Sequence, residues 1–103
     1  MILAFVPDLM DRSRLTAAGK DVRFVPSPDG LADASGAGDV IVVDLGRPGV
    51  LEAVSAIAEL GGRRIIGFGS HVERELLAAA KAAGCDEVLA RSAFFGGLPD
   101  TLA

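Results

Sequence analysis

The chain has 103 residues, half of them hydrophobic and 23% charged, with a formal net charge of -4; that is enough for one folded core and lacks the positive surface that a phosphate backbone attracts. The single cysteine, Cys85, excludes an internal disulfide, and with one histidine, His71, no Cys/His zinc cluster can be assembled. With no Trp or Tyr and five Phe there are few flat rings on which to stack bases, so nucleic acid is not an expected partner.

In chain order, the opening MILAFVPDLM has no positive stretch before its apolar run, and Pro7 and Asp8 interrupt that run far short of a signal sequence or membrane span. Residues 2–6 therefore read as a first strand, and residues 9–18 as a helix on which Leu9, Leu15 and Ala18 share a face. A second apolar run, VRFV at 22–25, precedes PSPDGLADASGAG, whose Gly and Pro content leaves room for about two helical turns at most. The third run, VIVV at 40–43, ends on Asp44 and is followed by the turn LGRPG.

Residues 50–60 carry Val50, Leu51, Val54, Ile57 and Ala58 on one helical stripe, with Glu52, Ser55 and Glu59 opposite. After a fourth run, RIIGF at 64–68, the spacing predicts a helix over 72–83 through Val72, Leu76, Ala79, Ala80 and Ala83. Ser70 with Glu73 forms a capping box at its start, and Gly84 ends it. A fifth run, EVLA at 87–90, leaves RSAFFGGLPDTLA for a turn and a stub of helix.

Unbroken apolar strands indicate a sheet covered on both faces, and strands alternating with helices imply right-handed crossovers between parallel strands. The expected fold is α/β: a flavodoxin-like, doubly wound, five-stranded parallel sheet of order 2-1-3-4-5, with a short second helix and a truncated last one. Chemistry in such a sheet gathers at the carboxyl ends of the strands. Those ends carry Pro7 and Asp8, Asp44 to Gly46, Gly69 to His71, and Arg91 and Ser92.

GDVIVVDLGRPG resembles the third strand of the receiver domains of bacterial response regulators, where an acceptor Asp is followed four residues later by Pro; here these are Asp44 and Pro48. LLAAAKAAGCDEVLARS is similar to their fourth helix and fifth strand. The likeness spans nearly the whole chain, read as one domain over 1–103. It implies Asp44 as the phosphoacceptor, a Mg2+ site built from Asp8, Asp44 and the Gly46 carbonyl, and switch or phosphate contacts from Gly69, Ser70 and Arg91. The chain departs from the family where a first acid has become Pro7, where the strand-four hydroxyl is Gly69 with Ser70 one position late, and where the Lys of strand five is Arg91.

A guanidinium in place of a compact ammonium shifts where positive charge sits in phosphoryl transfer, and it suits a permanent pair with Asp44. The resemblance thus implies a pseudo-receiver: a stand-alone cytoplasmic interaction domain, not an enzyme and without a resident cofactor. Its partner is a protein such as a sensor kinase or regulator, or a second copy in a homodimer. Helix four, strand five and the C-terminal stub with Phe94 and Phe95 form the expected interaction face. Two alternatives stay open, a phosphorylatable receiver using Mg2+ at Asp44 and a small-molecule or nucleotide-binding domain using the glycine-rich edge.

Plainer roles compete at each position. Asp8 reads equally as a helix cap, with Asp11 at the favourable acidic end of the helix dipole or as an outer-sphere contact to a metal. Asp44 also suits acceptance of turn N–H groups, and Ser70 a helix cap. His71 lacks a nucleophile beside it, and Cys85 has no neighbour that lowers its pKa.

Overall fold

The computed structural model describes residues 1–103. Five strands, β1 (Ile2–Phe5), β2 (Val22–Phe24), β3 (Val40–Asp44), β4 (Arg64–Gly69) and β5 (Glu87–Ala90), form one sheet of order 2-1-3-4-5 with every pair parallel. Between and after them lie α1 (Leu9–Ala17), α2 (Gly30–Ala34), α3 (Val50–Leu60), α4 (Arg74–Ala83), α5 (Arg91–Gly96) and a closing 3-10 turn, Asp100–Leu102. This is the flavodoxin-like arrangement expected from the alternation of apolar runs and helical stripes.

Alternation along the strands divides the core into two layers. Leu3, Phe5, Ile41, Val43 and Ile65 face α2, α3 and α4, where Leu31, Val50, Val54, Ile57 and Ala80 meet them. Ala4, Val6, Val42, Ile66 and Phe68 face the other way, onto Leu15 of α1, Phe94 of α5 and Leu102. Because both faces are covered, the strands read as continuous apolar runs rather than alternating ones. Helix α3 buries Val50, Ala53, Val54 and Ile57; of the stripe read from its sequence, Leu51 is only partly buried and Ala58 is exposed, with Ala53 buried instead.

Gly84 takes φ +129°, and a Cβ there would lie 2.5 Å from Cβ of Ala58, so glycine lets the chain turn out of α4 directly against α3.

Three expectations are corrected. On α1, Leu9 is 75% exposed, and the residue sharing the inner face with Leu15 is Asp11. Helix α4 starts at Arg74, with Glu73 and not Ser70 at its N-cap; Ser70 Oγ only accepts a 3.4 Å contact from the Val72 N–H. The physical reason is burial: Val72 is exposed with no core to reach, so the helical stripe begins at Leu76 and Leu77, which pack on the α3 side. Phe94, expected on an interaction face, is fully buried and stacks on Phe68 with ring centroids 4.8 Å apart. The short α5 turns inward at once, and Phe94 is the residue it contributes to the smaller core layer.

Candidate functional site

The carboxyl ends of β1, β3 and β5 bring three carboxylates and two guanidiniums to one rim. Asp8, immediately after β1, caps α1: its Oδ1 accepts the Asp11 N–H at 3.0 Å. Capping fixes the first turn of α1, and with it the inward direction of Asp11. Asp11 is buried, and its Oδ1 accepts a 2.6 Å hydrogen bond from Nη2 of Arg91, the first residue of α5.

Arg91 also lies over two rings, Phe68 at 5.3 Å and Phe95 at 5.4 Å from their centroids. The bond to Asp11 raises the Arg91 pKa, burial opposes the rise, and the charges of Asp11, Asp44 and Asp8 reinforce it. Arg91 is therefore the positive centre of the rim. The expected Arg91–Asp44 pair is replaced by Arg91–Asp11, while Asp44 has a nearer guanidinium of its own.

That nearer partner is Arg47. Asp44 is buried at the end of β3, level with Phe68 of β4. Its Oδ1 accepts the Gly46 N–H at 3.0 Å, the turn-binding role open to an Asp in this place, and its Oδ2 faces Arg47 Nε at 3.4 Å. Both carboxylate oxygens are thus engaged within the LGRPG turn.

Glycine at position 69 follows from packing. A Cβ there would meet Leu77 Cδ2 of α4 at 3.2 Å and Leu45 Cβ at 3.6 Å. Position 69 therefore has little room for a side chain, and Ser70 directs its oxygen to the local backbone. His71 is exposed in the turn before α4. Cys85 is buried at the opposite, amino end of β5, where burial first and the neighbouring Asp86 second push its thiol up to about 11.

The fit to a magnesium ion is poor. No group of three or more His, Cys, Asp or Glu side chains is placed to hold a metal ion. Of the acids at the rim, Asp8 is used as a cap, Asp11 is held by Arg91 and Asp44 by Gly46 and Arg47. Asp44, central to the expected set, has both oxygens engaged, so oxygen ligation there would have to displace Arg47 or the Gly46 amide.

Two residues that carry this geometry were not assigned it from sequence. Asp11 had a signal, since it stands four residues before Leu15 and so shares the one buried position of α1; an acid there requires a cation from elsewhere. Arg47 had only its closeness to Asp44 in the chain. Away from the rim, Phe95 is half-buried under the Arg14 guanidinium, 5.2 Å from its centroid. It lines an open groove of about 590 Å³ between α1 and α5, with Ala17, Ala18, Ser92 and Leu98 among its neighbours.

No protein-family model matches this chain, and no curated protein does. Among solved structures it is similar to a CheY-like response regulator protein from Mesorhizobium loti, with 21% sequence identity over 98% of this chain and 93% of that one and a TM-score of 0.62. The likeness shows the fold, that of a receiver domain. No helix is long and apolar enough to cross a membrane.

Proposed function

We propose that the chain is a receiver-like signalling domain that acts through protein–protein contacts, without a complete phosphorylation switch. One observation carries this reading: the two inward-facing carboxylates of the rim already have arginine partners, Asp11 with Arg91 and Asp44 with Arg47. Phosphoryl transfer to a carboxylate relies on positioning and on neutralising charge over the equatorial oxygens. Here Asp44 is held by a turn amide and a guanidinium, the strand-four hydroxyl is absent, and the positive group of strand five is committed to α1.

On this reading the domain is no enzyme, needs no resident cofactor, works in the cytoplasm, and meets a protein partner such as a kinase, a regulator or a second copy. Phe95, beside the open α1–α5 groove, stays available to a partner, whereas Phe94 does not.

The test is incubation with Mg2+ and acetyl phosphate, followed by intact-mass measurement, with beryllofluoride titrated against the Gly46 amide resonance in parallel. An unchanged mass and unmoved resonance are expected. A phosphoryl mass gain that Asp44→Asn abolishes establishes the alternative, a phosphorylatable receiver. That alternative is favoured by the place of Asp44 at the end of β3, close enough to Arg91, with Asp8, for both charges to bear on it.

A further inference from the structure

The two arginines of the rim are not equivalent. Arg91 binds Asp11 at 2.6 Å and is held over two aromatic rings, so its displacement would disturb Phe68 and Phe95 as well as an ion pair. Arg47 has one polar contact, the 3.4 Å approach of Nε to Asp44 Oδ2, and its side chain is 43% exposed. It stands in a solvent-facing turn, Gly46–Gly49, whose last residue adopts φ +81°. Rotation about its own side-chain bonds is enough to take the guanidinium into water.

Resting on the reading that the rim has no complete switch, we infer that Arg47 is a releasable latch on Asp44, an internal counter-ion that closes this carboxylate to external cations. Charge on the rim supports it. Asp8, Asp11 and Asp44 against Arg47 and Arg91 leave one net negative charge, which becomes two when Arg47 swings away. Asp44 Oδ2 then has no partner inside a nearly buried site, and a partly desolvated carboxylate recruits positive charge. The absence of a usable metal site is thus due to an arginine three residues downstream as much as to the replacement of an acid by Pro7.

Manganese(II) tests this through paramagnetic broadening of the Gly46 amide, which needs no catalytic readout because that N–H is bonded to Asp44 itself. The Arg47→Ala chain should reach half-broadening at a Mn2+ concentration at least about fivefold lower than the wild type, the effect expected of removing a partly exposed ion pair. Arg47→Lys should fall between them, and Arg47→Ala combined with Asp44→Asn should return to the wild-type value or weaker. Arg47→Gln serves as a second neutral variant should the alanine chain fold poorly.

Equal broadening in wild type and both neutral variants, or a gain over wild type that survives Asp44→Asn, overturns the latch. A wild-type chain that gains phosphoryl mass from acetyl phosphate instead overturns the proposed function, whatever the Mn2+ series shows, so the two failures are separable.

Discussion

Replacing Arg91 with Ala removes the cation that faces Asp11, whose side chain is 6% exposed and whose Oδ1 accepts the 2.6 Å bond. Breaking a fully buried ion pair from one side destabilises by about 3–5 kcal/mol. Arg91 is 42% exposed, so solvent already screens the pair and water enters the space its guanidinium leaves; that lowers the expected loss to about 2 kcal/mol. Loss of the guanidinium from the rings of Phe68 and Phe95 adds roughly 0.5–1 kcal/mol.

Together these correspond to a fall in melting temperature of about 10–20 °C for a chain of this length. Asp11→Asn, which keeps the shape and leaves Arg91 open to water and to the charges of Asp44 and Asp8, should lose only about 1 kcal/mol. Since the chain has no Trp or Tyr, urea unfolding is followed by far-UV circular dichroism. If the pair organises the rim, the double variant is more stable than the sum of the single losses predicts, because a buried amide tolerates the missing cation better than a buried carboxylate does. Additivity within about 0.5 kcal/mol would refute the coupling of α1 to α5 through this bond.

Phe94→Ala should destabilise by about 3–4 kcal/mol and Phe95→Ala by about 1 kcal/mol, a contrast that urea midpoints resolve and that follows from full burial of the first ring and partial burial of the second. Gly84→Ala forces a side chain into φ +129° and against Ala58, with an expected loss of about 2–3 kcal/mol in the same assay. For Cys85 the folded pKa, about 11, lies above the ordinary value of 9.0, so the folded chain keeps its thiol proton longer. The resulting stabilisation is complete below about pH 9 and is lost as pH rises towards 11. The urea midpoint should fall across that window in the wild type and stay flatter in Cys85→Ala.

Much of the fold was legible because its signals are local and repeated. Val50, Val54 and Ile57 mark α3 by spacing alone, and the five apolar runs locate all five strands to within a residue or so at their ends. The start of α4 was misread because Ser70 and Glu73 satisfy a local capping pattern while Val72, the next apolar residue, has nothing to bury against. A cap pattern carries no information about where the core begins.

At the rim, residue types and order in the chain placed Asp8, Asp44 and Arg91 at one edge, and in the structure the charges of Asp44 and Asp8 act on Arg91. Which carboxylate that arginine holds is another matter: Asp11 and Arg91 are 80 positions apart, and their 2.6 Å bond depends on the rotation of α1 against β5.

By itself, then, the amino-acid order determined the strand and helix succession, the two-faced burial of the sheet and the gathering of acids at its carboxyl edge, since hydrophobic periodicity and turn chemistry act over a few residues. Only the tertiary structure decided the pairing of Asp11 with Arg91 and of Asp44 with Arg47, and the inward turn of Phe94. Such choices turn on ångström-scale differences in reach between competing groups, and those distances exist only once the helices have been set at their angles on the sheet.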